Sequence, residues 1–565
     1  MVKPIRLGGA VKKNNQSFAQ LTTTLFATLL ISGAVGASDL VLTNGKILTV
    51  DSLFSEAQAI AIDGGRIVAI GSNASVAKHI KADTKLIDLN GKTVIPGLID
   101  NHMHLVRGAQ NWQRQIRLEG VLDYQEALSQ IEKAAKRAKP GEWLTAPGGF
   151  VERQFDGRPG AGFLRKDLDR VAPENPVYLQ HLFDWGYANS AALERIGVNP
   201  ENPEGMAGLL LDNQGLPEGP VTKRAQWLIE QQVAQDKQAD QLANAHQALS
   251  DLAKTGLTTV VDAGGFNTVD SLYAPFQSLD EQGELPIRLY YMKQVVDWQQ
   301  GNRATNLQRL DGVRFGEGSD FFKPVAVGEQ LLLSVQDTAG SPANSGDAVK
   351  AEFLEKAAEL AKRGVQLHLH AVNDQSINQH LDAFAEINKT YPLAPLRWTL
   401  AHVDGIQPET IDRANDLGIL FAIHSRPVLI GYRFQSRFGP KANQMTPMKT
   451  LTEKGALWGL GSDSPTVSIY NPFRTLWWAI NGRMVDGTKV SEQNVDRKQA
   501  LIAHTINNAR LANEESNLGS LEIGKRADLV VIDQDYMKIE ASQISKIRSL
   551  ATMVDGEWVY RDASF

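Results

Sequence analysis

The 565 residues include no cysteine. That excludes disulfides, thiolate ligands and a cysteine nucleophile, so a metal would have to be held by histidine, carboxylate or a modified lysine. A basic excess is also missing. The chain has 58 Lys and Arg against 64 Asp and Glu, a formal charge of −6, which argues against a nucleic-acid surface. No G-x-S-x-G elbow, P-loop or G-x-G-x-x-G fingerprint is present, so serine-hydrolase and nucleotide-binding readings lack support. Beyond residue 37 no stretch is long and apolar enough to span a membrane. An apolar content of 42% and a charged content of 22% are ordinary for a globular protein.

Residues 1–37 differ from the rest. Lys3, Arg6, Lys12 and Lys13 lead, Phe18 to Val35 carries no charge, and Ala-Val-Gly-Ala37 ends in small residues. The pattern predicts a secretory signal cleaved near Ala37, and with it a periplasmic or secreted protein. The alternative, an N-terminal anchor, fits a short stretch diluted by Thr and Ser less well. Cleavage would remove those four basic residues and take the formal charge from −6 to −10.

Short strands with Asn-Gly and Asp-Gly-Gly turns fill Asp39 to Leu89, and the same texture returns in Ala527–Asp533 and Thr552–Tyr560. The two ends are expected to build one small β-domain, residues 38–95 with 511–565. Between them, apolar strands alternate with helical stretches such as Asp347–Arg363 and Pro408–Leu417. Eight strands are expected: Leu98–His104, Leu257–Asp262, Ile287–Lys293, Phe321–Val327, Val365–Ala371, Trp398–His402, Ile419–His424 and Leu457–Asp463. That number with helical crossovers predicts an α/β fold, a (β/α)8 TIM barrel flanked by a β-sandwich. Strand one falls in residues 96–104 and the rest of the barrel in 251–510. The long gap between strands one and two predicts an inserted subdomain, residues 105–250. Its aromatics, Trp112, Trp143, Phe150, Phe155, Phe183, Trp185 and Tyr187, would either roof a pocket or form the insert's own core.

His102 and His104 close strand one, and a period of two puts both on one face. His370 ends strand five, His402 ends strand six and Asp463 ends strand eight. A buried histidine bonded to backbone, or an aspartate capping a helix, would explain any one of these. Together they gather on the C-terminal rim, where barrel active sites lie. Imidazoles and a carboxylate suit zinc or a similar divalent ion. Asp463 is the natural base for a metal-activated water. His368 shares the face of His370 but lies deeper, a supporting position. His424, ending strand seven, is a candidate substrate contact. Arg426, Arg433 and Arg437, after strand seven, would either receive a substrate carboxylate or lie on a solvated loop.

The order His-x-His after Ile-Pro-Gly-Leu-Ile-Asp100, then His370-Ala-x-x-Asp374, a strand-end His402 and Gly461-Ser-Asp463-x-Pro465 resembles the amidohydrolase superfamily. Asn189-Ser-Ala-Ala-Leu193 and Gly519-Ser-Leu-Glu-Ile-Gly-Lys-Arg-Ala-Asp528 make it similar to the YtcJ-like, or amidohydrolase type 3, branch, which includes N-substituted formamide deformylases. The resemblance implies a metal-dependent hydrolase of non-peptide C–N bonds in a small-molecule amide, N-acyl or formamide substrate. It implies His102, His104, His370, His402 and Asp463 as ligands of one or two ions, with Asp463 also the base. Relatives place a carboxylated lysine on strand four, which points to Lys323, with Glu329 as the alternative bridging ligand. Where they often have histidine this chain has Trp185, a candidate substrate contact. The competing reading is a degenerate barrel that binds a metabolite and acts in regulation.

Overall fold

The computed structural model describes residues 38–156, 162–235, 240–298 and 303–565; the expected signal segment, residues 1–37, lies outside them. Its centre is an eight-stranded parallel sheet: β1 (Leu98–Met103), β2 (Leu257–Asp262), β3 (Arg288–Lys293), β4 (Phe322–Glu329), β5 (Leu367–Ala371), β6 (Thr399–His402), β7 (Leu420–His424) and β8 (Trp458–Gly461). The strands lie side by side in chain order, and all eight match the sequence reading to within two residues at each end.

Backbone bonds bring β8 back to β1. Asp463 N–H donates to His102 O at 2.9 Å and His104 N–H to Ser464 O at 2.8 Å. Asn508 reinforces the seam, its Nδ2 donating to Ile99 O at 2.5 Å and Leu460 O at 2.7 Å. Helices wrap the outside, including Asp347–Lys362 and Pro408–Asp416.

Both chain ends build the flanking sandwich. Leu529–Ile532 pairs antiparallel with Thr93–Pro96 inside a six-stranded sheet, beside a four-stranded sheet made from residues 40–88. Alternation along these strands explains why both read as unbroken apolar runs. Val94, Leu529 and Val531 enter the sandwich core, while Ile95, Val530 and Ile532 face the barrel core. A buried ion pair joins the two bodies: Arg288 at the start of β3 meets Asp528, whose other oxygen accepts Asp555 N–H at 2.9 Å.

The insert after β1 carries a five-stranded sheet and two apolar cores of its own. Trp143, Phe150, Phe155 and Tyr187 belong to those cores, and Trp112 to the barrel core. Phe183 alone among the aromatics expected to roof a pocket is strongly exposed, at 57%. Helix Gln241–Ala253 already packs in the barrel core through Ala245, Ala248 and Leu249, ahead of residue 250. The insert leans on the loop after β8 at Gly148. There φ is +113°, and a Cβ would stand 2.3 Å from Thr466 O, so only glycine fits.

Replacing Asp528 with Ala should leave Arg288 charged and unpaired in the barrel–sandwich seam. The expected cost is about 3–5 kcal/mol, read as a lower unfolding midpoint in urea. The paired replacement Arg288→Met with Asp528→Leu should lose much less.

Candidate metal centre

Each parallel strand ends on the same rim, so a residue at a strand's C-terminus points into one small volume. His102 is in β1 and His104 just beyond it. Glu329 is the last residue of β4, His370 lies near the end of β5, His402 ends β6 and Asp463 follows β8. All six are gathered there and nearly all are buried.

Glu329 is the hub. Its carboxylate lies 3.7 Å from His102 Nε2, 3.9 Å from His104 Nε2, 3.4 Å from His370 Nδ1 and 3.6 Å from His402 Nε2. Asp463 lies 3.0 Å from His104 Nε2 and 3.7 Å from His102 Nε2 and His402 Nδ1. These groups form three overlapping sets in which all donor atoms lie within 4.8 Å of one another: His102, His402 and Asp463; His102, His104 and Glu329; Glu329, His370 and His402. Two donors held about 2.1 Å from one tetrahedral ion stand about 3.4 Å apart, close to the separations seen here.

A second layer aims the rings. His102 Nδ1 is 3.0 Å from His368 Nε2, His104 Nδ1 is 2.9 Å from Gly264 O, and His402 Nδ1 is 2.7 Å from His424 Nδ1. His370 Nε2 lies 3.2 Å from Asp337 Oδ1. Each candidate histidine therefore has one nitrogen engaged behind it and the other turned toward Glu329 or Asp463, the rear nitrogen of His402 also passing 3.7 Å from Asp463; this is how metal-bound histidines are held. Gly265 leaves room for this, since a Cβ there would stand 2.8 Å from Glu329 Oε1 and 2.9 Å from His104 Cε1. His402 and Asp463 have φ of 75° and 65°, left-handed values that non-glycine residues hold at a cost and that cluster at functional sites.

The electrostatics call for a cation. His102 Nε2 is buried with no hydrogen-bond partner among the described residues. Burial, together with neighbouring imidazoles and, for His402, Arg426, holds His102 and His402 well below the ordinary histidine range. They stay neutral, with lone pairs available for a metal. Burial works against a charged Glu329, but the hydrogen bond from His370 and the charges of His104 and His370 pull its carboxyl down to about 2. Burial likewise opposes a charged His370, yet hydrogen bonds to Asp337 and Glu329 raise it to about 10. A positive charge is thus favoured between these groups, and the nitrogen and oxygen donor set fits a divalent ion.

Lys323 does not join them. As the second residue of β4 it precedes Glu329 by six positions, about 20 Å at 3.3 Å per residue. Its ammonium pairs with Glu514 and sits 4.8 Å over the Tyr290 ring at the opposite end of the barrel. The expectation of a carboxylated Lys323 in the centre is corrected on that geometry: the strand-four group facing the histidines is Glu329. His424 is buried, with Nδ1 on His402 and Nε2 3.2 Å from Asn101 Oδ1. That places it as a support of His402 and not against substrate. Trp185 packs inside the insert, its ring centroid 5.0 Å from His181 and 5.8 Å from Tyr187.

Arg426 is no solvated loop residue. It is buried against Asp404, with Nε 3.7 Å from Asp463 Oδ2. Arg433 and Arg437 reach Asp184 and Gly340 O, each at 2.5 Å. Sequence reasoning missed Asp337, which lies in the connection after β4 and accepts Val372 and Asn373 N–H while orienting His370. No motif marks it.

A model described as the amidohydrolase family matches residues 85–560. The protein LONG AFTER FAR-RED 3 of Arabidopsis thaliana is 29% identical, covering 93% of this chain and 92% of its own length. The N-substituted formamide deformylase of Arthrobacter pascens is 27% identical, covering 92% of this chain and 97% of its own. A metal-dependent hydrolase from Pyrococcus horikoshii OT3 superposes with a TM-score of 0.62 at 19% identity, over 89% of this chain and 99% of that one.

Glu329→Gln should lower the bound metal per chain, measured by plasma mass spectrometry after purification. Lys323→Met should keep the metal and instead lower stability by leaving the Glu514 carboxylate without its cation.

Proposed function

Because the chain belongs to the amidohydrolase family, we propose that it is a metal-dependent hydrolase of non-peptide carbon–nitrogen bonds, acting on amide, N-acyl or formamide groups of small molecules. The observation that carries this is the buried cluster in which four imidazoles turn one nitrogen each toward Glu329. His102, His104, Glu329, His370, His402 and Asp463 would hold a zinc-class ion, or two. A divalent ion held there lowers the pKa of a bound water toward about 7 and polarises a carbonyl.

The chain's own residues do the rest. Asp463 lies 3.0 Å from His104 Nε2 and 3.7 Å from Arg426 Nε, so its carboxylate is held on two sides in one position. From there Asp463 takes a proton from the attacking water and returns it to the leaving nitrogen as the C–N bond breaks. His368, His424, Asp337 and Gly264 O keep the imidazoles in their working tautomers. The N-terminal pattern supports export to the periplasm or beyond, with cleavage near Ala37. Mass spectrometry of protein recovered from the periplasm of a bacterial host should find Ser38 or a near neighbour as the first residue.

The principal test is Asp463→Asn. Turnover of a panel of N-acyl amines and N-substituted formamides should fall by about a thousandfold, with metal content largely kept. Unchanged turnover would remove Asp463 from this role. A purified protein that binds no metal and hydrolyses nothing would point instead to a metabolite-binding, regulatory barrel.

A further inference from the structure

Two clefts of about 510 and 570 Å3 open between the barrel rim and the insert. Arg107, Gln115, Pro147, Gln180 and Glu230 line both, so they form one trough. Its barrel side is built from chain neighbours of the centre, though none of the six centre residues lines it. Thr466, three residues past Asp463, lines it, as does Phe266, which follows the Gly264–Gly265 pair packed on His104 and Glu329.

Among the described residues lining the trough, Arg107 is the only basic one. It lies three residues past His104 in the short helix Leu105–Gly108. Its Nη1 donates to Phe266 O at 2.7 Å, which fixes the plane of the guanidinium. Three other arginines near the rim are committed: Arg426 to Asp404, Arg433 to Asp184 and Arg437 to Gly340 O. Arg107 is also close enough to feel the charges of Glu329 and Asp463. Across the trough, Glu230 on helix Lys223–Gln235 accepts Tyr178 Oη–H at 3.0 Å and Gln226 Nε2–H at 2.9 Å, both on Oε1. An anion is therefore welcome at the barrel wall and repelled at the insert wall. Phe183 and Phe266 also line the trough and are left 57% and 45% exposed.

We propose that this trough is the substrate subsite, and that Arg107 selects substrates bearing a carboxylate beside the scissile amide, of the N-acyl amino acid kind, with their apolar side chain on Phe183 and Phe266. This rests on the hydrolase reading of the centre. A guanidinium forks onto a carboxylate through two parallel N–H···O bonds, and a partly desolvated one gains most from that partner. A neutral substrate would leave those N–H groups unpaired, which is what makes such a site discriminate.

The test uses metal-loaded wild type, Arg107→Met and Arg107→Lys. Probes are N-acetyl and N-formyl amino acids with aromatic or aliphatic side chains, each paired with its neutral amino-alcohol counterpart. In wild type the acids should be favoured in kcat/KM by about 30-fold or more. That ratio should collapse toward one in Arg107→Met and be partly kept in Arg107→Lys, at equal metal content. Equal rates for acid and alcohol in wild type, or a ratio that survives in Arg107→Met, would overturn the assignment. Turnover of the wider panel of N-acyl amines and N-substituted formamides without turnover of any pair overturns the assignment; if the metal-loaded protein hydrolyses neither, the hydrolase reading falls, and calorimetric binding of the same pairs decides the assignment of Arg107. Acid-selective binding lost in Arg107→Met upholds it; binding that ignores the carboxylate overturns it.

Discussion

A carboxylate buried among four imidazoles constrains everything else in this molecule. Glu329 can remain ionised at the end of β4 only while positive charge is shared with it. His370 supplies part of that charge through a hydrogen bond, backed in turn by Asp337. His102 Nε2, buried without a hydrogen-bond partner among the described residues, marks where a further cation belongs. The polar cluster is tolerable in the interior because the surrounding groups are already oriented, so binding an ion there requires little rearrangement.

The fold provides that orientation in layers. Parallel strands bring six side chains from the ends of five strands to one rim, and the bonds between the ends of β1 and β8 hold His102, His104 and Asp463 against one another. Behind them, the sandwich braces the barrel through Ile95, Val530 and the buried Arg288–Asp528 pair. In front, the insert adds a wall that the barrel lacks, resting on Thr466, the residue that follows the cis-bonded Ser464–Pro465 pair. On the proposed reading the centre would supply the chemistry, and the facing walls of barrel and insert would control which molecules reach it.

The barrel was readable because its strands are short apolar runs broken by turn residues and helical stretches, a pattern that survives without any knowledge of neighbours. The histidines were readable for a related reason: strand ends can be counted, and His102, His104, His370 and His402 stand at them. Asp337 and Arg107 were not readable. One sits in an irregular connection and the other in a short helix, and neither has a period or motif that separates it from an ordinary surface charge. His424 looked like a substrate contact because it ends a strand; only its neighbours, His402 and Asn101, show that it faces backward.

The sequence by itself thus determined the order of the elements, the joining of both ends in one β-domain, and the residue types available to a metal, since these follow from local periodicity and from the lack of cysteine. The tertiary structure decided which of those residues meet. Lys323 and Glu329 lie on one strand, six residues apart, and their spacing in sequence says nothing of which faces the histidines. Closing the barrel settles it, because rise along the strand sends Lys323 to Glu514 at one end and Glu329 to the imidazoles at the other.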